Sequence, residues 1–212
     1  MLHPKENVPK SFDVTMTREG ISPQVEKALQ KVPRAEFVAS QWKDRAGEDR
    51  PLPIGSDQTT SQPSLIAYMT DQLQLTPKSR VLEVGTGSGY HTAILAELAN
   101  QVYTIECRAE LAASAEKRLR ALRYRNVAYR LGDGAMGWVE SAPYDAIIVT
   151  AAGRVLSPAL IAQLKPGGRM IAPLGEPAGE QTLVLVETKR SGEWVRRDLC
   201  SVWFVPLISA SL

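Results

Sequence analysis

The sequence predicts an α/β fold, doubly wound and Rossmann-like, with a mostly parallel central sheet, a C-terminal antiparallel hairpin and an N-terminal helical extension. Three observations carry that prediction. Short apolar runs bounded by turn residues alternate with helical patterns between Val81 and Val149, as in a parallel sheet buried on both faces. The first run, Val81-Leu82-Glu83-Val84, ends in Gly85-Thr86-Gly87-Ser88-Gly89 and passes at once into a helical stripe, Ile94, Leu95 and Leu98. Near the end, Thr182–Val186 and Val195–Val205 are joined through Lys189-Arg190-Ser191-Gly192-Glu193, which is too short for a crossover and so implies a hairpin.

The chain has 212 residues, 44% of them hydrophobic, enough for one sizeable domain: an extension over 1–75 and a cofactor-binding sheet over 76–207. A net charge of +2, with basic and acidic residues interleaved, carries no nucleic-acid footprint. Two cysteines without a C-x-x-C partner and two histidines give no metal spacing; Cys107 and Cys200 read as buried thiols in a reducing compartment. With neither an apolar leader nor a run long enough to cross a bilayer, a cytoplasmic monomer that binds no membrane is expected.

Taken in order, residues 1–20 are polar and irregular, with the first dozen expected to be loosely held. Ser22-Pro23 reads as an N-cap and first helical residue, followed by the stripe Val25, Ala28, Leu29 and Val32. Proline density makes 34–53 an extended surface segment, and 55–63 a polar loop before the stripe Leu65, Ile66, Met69 and Leu73, with Ser61 a candidate N-cap. Strands follow at Val102–Glu106, Val127–Leu131 and Tyr144–Val149, with a helix over 109–123 whose Arg118, Arg120, Arg123 and Arg125 form a solvated face. Gly132-Asp133-Gly134 is a turn in which Asp133 tolerates a special backbone and presents a carboxylate. A helix from Ser157-Pro158 through Leu164 is stopped by Pro166-Gly167-Gly168, and Met170–Gly175 is the next strand.

The chemistry starts at the glycine turn. Gly85, Gly87 and Gly89 remove three Cβ atoms where a ligand approaches, and the following helix aims free N–H groups at it. Their spacing, G-x-G-x-G, departs from the G-x-G-x-x-G of dinucleotide sites, which weighs against a dehydrogenase. Glu106 closes the next strand about twenty residues on, where an acid accepts hydrogen bonds from a ribose diol. Glu106, Asp133 and Thr150 all fall at strand C-termini and converge with residues 85–89 on one rim.

The string E-V-G-T-G-S-G resembles the first motif of S-adenosylmethionine-dependent methyltransferases. The run V-P-R-x-E-F-V, D-R-P-L-P-I-G, Q-T-x-S-Q-P and V-L-E-V-G-T-G-S-G-Y, continuing through Gly132-Asp133-Gly134, Tyr144–Ala152, Gln163–Gly168 and Phe204–Leu207, resembles protein-L-isoaspartate O-methyltransferases from about 21 to 207. The resemblance implies methyl transfer to the α-carboxylate of L-isoaspartyl residues in damaged proteins and peptides, after which the ester collapses to a succinimide. It places Glu83, Gly85, Thr86, Gly87, Gly89, Glu106, Asp133, Gly134 and Thr150 around the cofactor, with Asp133 on the adenine amino group. It sets Gln58, Thr59 and above all Ser61 beside the acceptor carboxylate, and Ile54, Thr60, Ala151 and Ala152 along the substrate.

Such chemistry asks for few catalytic groups. A sulfonium methyl is already activated and a carboxylate is already anionic at neutral pH, so placement and exclusion of water replace a general base. Neither His3 nor His91 has a nucleophile or orienting acid at a recognisable spacing, and His91 reads as a helix-face residue. Ser56-Asp57 departs from the resembled pattern, as does Thr60. An Asp57 carboxylate beside the acceptor would repel it unless paired, and Arg154 near the same rim is the candidate partner. The departure leaves open a related enzyme acting on another dedicated carboxylate, and a cofactor-binding protein without turnover.

Overall fold

The computed structural model describes residues 20–176 and 179–208; the expectations for the first dozen residues and for His3 lie outside them. Helix α1 (Pro23–Lys31) starts where Ser22-Pro23 predicts, although the Ser22 side chain makes no cap bond and its backbone N–H instead reaches Asp71 Oδ1 at 3.0 Å. Val25 and Ala28 are its buried residues.

The stretch expected to be extended is folded. Arg34–Phe37 and Ser40–Arg45 are 3-10 turns, and Leu52–Gly55 is strand β1. What organises it is Arg34, only 6% exposed, whose guanidinium donates to the carbonyls of Ala46 (3.1 Å), Glu48 (2.9 Å), Arg50 (2.8 Å) and Ser61 (3.2 Å). The supposed loop after it is the second arm of a hairpin. Strand β2 (Gln58–Thr60) pairs antiparallel with β1, Leu52 opposite Thr60, and the turn residues Ser56 and Asp57 both have positive φ, 50° and 55°. Two positive φ values at the tip are the signature of a turn whose twist matches its strands. Helix α2 (Pro63–Gln72) follows with Gln62, not Ser61, at its N-cap position.

The central sheet holds β3 (Arg80–Val84), β4 (Gln101–Glu106), β5 (Val127–Leu131), β6 (Tyr144–Val149), β7 (Leu164–Leu174), β8 (Gln181–Thr188) and β9 (Trp194–Val202) in the order β5-β4-β3-β6-β7-β8-β9. The first five are parallel; β8 and β9 finish the sheet antiparallel. Alternation decides which face each side chain serves. Val81, Val102, Ile148, Ile171, Leu183 and Leu185 pack beneath α1, α2 and α3 (Tyr90–Leu98), whereas Leu82, Val84, Ile105, Ile147, Val149, Met170 and Val184 form the core of the other face. Helix α4 (Ala109–Ala121) joins β4 to β5 and buries Leu111, Ala115 and Leu119.

Three further expectations are corrected. Helix α5 is only Pro158–Ile161, and β7 already begins at Leu164, so Pro166-Gly167-Gly168 lie within the strand at its register shift against β6 rather than stopping a helix. Arg118 is not part of a solvated face: its Nη1 donates to Ser88 O at 2.7 Å and its guanidinium lies over Phe37. Cys200 is buried as expected, but Cys107, one residue past the end of β4, is exposed. Among the described residues no helix is long and apolar enough to cross a membrane.

Candidate active site

Strand order reverses between β3 and β6, and the crevice above that point is where an open α/β sheet takes its ligand. The glycine turn sits there. Gly85, Gly87 and Gly89 all have positive φ, and a Cβ on Gly85 would collide with the Thr150 hydroxyl. That hydroxyl donates to Gly85 O at 2.8 Å and lies 3.1 Å from Val84 O, so the end of β6 clamps the turn that follows β3.

Glu106 anchors the other side. Its Oε2 accepts from Gly87 N at 2.8 Å, and its Oε1 from Cys107 N at 3.0 Å and Arg108 N at 3.1 Å. The Cys107 Sγ also lies 3.6 Å from Oε1, which is thereby fully engaged, whereas Oε2 takes only the Gly87 N–H and keeps an acceptor position for a ribose hydroxyl. Asp133 has an ordinary backbone, φ −76°, contrary to expectation, and its Oδ1 accepts from Ala135 N at 2.8 Å. It thereby orders the 3-10 turn Gly134–Met136, and Gly134, which packs against Val84 with no room for a Cβ, forms the wall at that point.

Two small clefts meet over the turn. One, about 70 Å³, is lined by Ile54, Gln58, Thr59, Gly85, Gly87, Glu106, Gly134, Thr150 and Ala151 among others. Its neighbour, about 50 Å³, is polar and is walled by Thr59, Thr60, Ser61, Thr86, Ser88, His91 and Thr150. The β1–β2 hairpin roofs both, and its tip touches the first turn of α4 through Ser56 Oγ and Glu110 Oε2 at 3.3 Å. A larger apolar cavity, about 320 Å³ between α5 and the sheet, has no ionisable side chain in its wall.

The structure therefore brings together Ile54, Gln58, Thr59, Thr60, Ser61, Gly85, Thr86, Gly87, Glu106, Gly134, Thr150 and Ala151. Glu83, Gly89, Asp133 and Ala152 line neither cleft, and a Cβ on Gly89 would meet Leu119 and Ala115 of α4 rather than a ligand. Glu83 is wholly buried beneath the turn, its Oε2 accepting from Thr92 Oγ1 (2.5 Å) and Thr104 Oγ1 (2.7 Å), and Thr104 in turn contacts Thr86 Oγ1 at 2.6 Å. Burial pushes its carboxyl up to about 8 against the two hydroxyl bonds that favour ionisation. Ala152 is a brace: its N–H donates to Val205 O and its carbonyl accepts from Leu207 N, both at 2.8 Å, which holds the C-terminal segment against the rim.

The Asp57–Arg154 pairing is not found. Asp57 sits at the hairpin tip, and Arg154 pairs with Glu176 at 3.0 Å instead. His91 lies on helix α3 as expected, 8% exposed, but it was missed as a wall residue because one imidazole inside a helical stripe carries no spacing signal. Burial pushes it down to about 3.

A glycine turn feeding a helix at the switch point, an acid closing the neighbouring strand and a polar roof over both define the S-adenosylmethionine-dependent methyltransferase class of α/β enzyme. The family model described as protein-L-isoaspartate(D-aspartate) O-methyltransferase matches residues 13–212. The chain is 51% identical over 191 residues to protein-L-isoaspartate O-methyltransferase 1 of Cupriavidus necator, covering 90% of this chain and 74% of that one. It is 52% identical over 190 residues to the enzyme of the same name from Anaeromyxobacter sp., covering 89% and 90%. Among solved structures, a protein-L-isoaspartate O-methyltransferase superimposes with a TM-score of 0.84 at 28% identity, over 92% of this chain and 65% of that one. A putative protein-L-isoaspartate O-methyltransferase from Plasmodium falciparum, in complex with S-adenosyl-L-homocysteine, gives 0.78 at 26% identity over 92% and 95%. The chain belongs to the protein-L-isoaspartate O-methyltransferase family.

Proposed function

We propose that this protein methylates the α-carboxylate of L-isoaspartyl residues in damaged proteins and peptides, with S-adenosylmethionine as cofactor, acting as a cytoplasmic monomer on flexible protein substrates and not on nucleic acid or membranes. Residues 1–75 and 76–207 serve as one catalytic unit. The observation that carries the acceptor class is the wall of the polar cleft: hydroxyls and backbone, with His91 its one imidazole and that too weakly basic to take up a proton near neutral pH. A hydroxyl or amine acceptor needs a base to relieve it of a proton, whereas a carboxylate has none to lose.

When bound, the cofactor supplies an activated methyl group. The residues supply position. Glu106 accepts from the ribose, Asp133 and Gly134 border the adenine, and Gly85, Thr86 and Gly87 border the amino-acid portion, with Gly89 seating the turn against Leu119 and Ala115 of α4. Thr150 keeps that turn in place, and Glu83 acts through Thr104 and Thr86 from below. Among the described residues the Ser61 hydroxyl has no hydrogen-bond partner, so it is free to donate to the acceptor carboxylate. Gln58 and Thr59 close over it, Ile54 and Thr60 exclude water, and Ala151, with Ala152 behind it, borders the peptide. The test offers labelled cofactor with an isoaspartyl peptide and with its normal aspartyl twin. Base-labile label on the first alone is expected; equal labelling, or none with cofactor still bound, would move the assignment to another carboxylate or to a binding protein without turnover.

A further inference from the structure

The polar cleft must receive an amino-acid zwitterion, and its two charges need opposite partners. The first turn of α3 provides N–H groups without intrahelical acceptors, which suit the carboxylate. The ammonium has three N–H groups to place. Gly85 O and Ser88 O each already take one proton, from Thr150 Oγ1 at 2.8 Å and from Arg118 Nη1 at 2.7 Å, while Thr104 gives its proton to Glu83, so Thr86 Oγ1 donates to Thr104 at 2.6 Å and keeps its lone pairs.

His91 offers a further acceptor. Its Nε2 lies 2.8 Å from Thr70 Oγ1, and that hydroxyl is also 2.7 Å from Ile66 O. A hydroxyl carries one proton, and a carbonyl can only accept. Both contacts are hydrogen bonds only if Thr70 donates to Ile66 O and accepts from Nε2–H. The tautomer is thereby fixed, with Nδ1 bearing the lone pair. Among the described residues Nδ1 has no hydrogen-bond partner, and the ring is part of the cleft wall although the residue is more than nine-tenths buried.

We propose that His91 is a cofactor-binding residue, its Nδ1 accepting a hydrogen bond from the α-ammonium of the cofactor's amino-acid portion. This rests on the reading of the cleft as the cofactor site. Burial keeps the ring uncharged, as an acceptor facing a cation has to be. Thr70 acts as its positioning residue, holding the ring from α2 and so tying the helical extension to the glycine turn.

The test is a calorimetric cycle using S-adenosylhomocysteine and its analogue lacking the α-amino group. Wild type is expected to bind the analogue about ten- to a hundredfold more weakly, the scale of a hydrogen bond to a charged group, whereas H91L loses less than about threefold on the same change. H91Q, whose side-chain carbonyl is again an acceptor, is expected to recover most of the discrimination. Equal loss in wild type and H91L would overturn the inference. Nitrogen NMR of the wild-type ring gives a readout that needs no variant: a protonated Nε2, with an Nδ1 resonance that moves when S-adenosylhomocysteine is added and stays when the des-amino analogue is. An unmoved Nδ1 would also overturn it. Failure of wild type to bind S-adenosylhomocysteine at all would instead overturn the cofactor reading, and this inference with it.

Discussion

Ser61 is held by its backbone, and its proposed role falls to its side chain. Arg34 pins its carbonyl at 3.2 Å while its hydroxyl has no partner among the described residues, an arrangement that presents one donor to an incoming anion. Losing that donor removes a single charge-assisted hydrogen bond without opening a core cavity. Ser61→Ala is therefore expected to lower kcat/KM for an isoaspartyl peptide by about ten- to a hundredfold, with thermal stability and S-adenosylhomocysteine affinity close to wild type. Steady-state kinetics beside calorimetry checks this. A fall in cofactor affinity as large as the fall in kcat/KM would mean the hydroxyl serves the cofactor.

At the scale of elements, the extension and the hairpin are one device with Arg34 as its pin. Four carbonyls from 46, 48, 50 and 61 converge on one guanidinium, which also lies over the Tyr90 ring at the start of α3. Lysine keeps the charge but not the planar fork of donors. Arg34→Lys is therefore expected to strand at least two buried or partly buried carbonyls, cost about 2–4 kcal/mol of stability in urea unfolding, and raise KM for the peptide more than the dissociation constant for S-adenosylhomocysteine. The parallel strands, by contrast, were readable from the chain because β3 and β6 are buried on both faces and so write continuous apolar runs: Val81, Leu82 and Val84, then Ala146 to Val149. The hairpin was not readable. Its strands bear Pro53, Gln58, Thr59 and Thr60 rather than an apolar alternation, and its turn uses Ser56-Asp57 where glycine is the usual mark. The end of α5 was misjudged because Pro166-Gly167-Gly168 punctuate a bulge in β7, and glycine marks bulges as readily as helix ends. Glu106, Thr150 and the glycine turn were legible because their position follows from the topology alone. That His91 walls the polar cleft and that Glu83 lies beneath the turn were not legible, because whether a polar side chain looks into a cleft or away from it is set by packing.

For the whole molecule, two of the buried titratable groups flanking the glycine turn, Glu83 and His91, set opposing pH limits. Glu83 is raised to about 8 from the ordinary 4.5, so the folded state holds a proton that the unfolded chain releases. Its contribution to stability is complete below the unfolded value and is lost as pH rises through the folded one. His91 is lowered to about 3 from 6.5, so it works the other way: its contribution is present above the unfolded value and is lost as pH falls toward the folded one. The two together make stability greatest at mildly acidic pH and predict an alkaline limb with a known owner. Urea midpoints between about pH 5 and 9 should fall for the wild type by an amount equivalent to a few kcal/mol. Glu83→Gln keeps the acceptor for Thr92 and Thr104 and cannot ionise, so its midpoint should rise to about pH 6.5 as the His91 contribution is completed, stay level from there to about pH 9, and exceed that of the wild type at the alkaline end. If both proteins decline in parallel, the loss comes from other groups and Glu83 is ionised throughout. The same substitution also separates support from contact, since S-adenosylhomocysteine affinity should change little at pH 6, where the native carboxyl is already protonated.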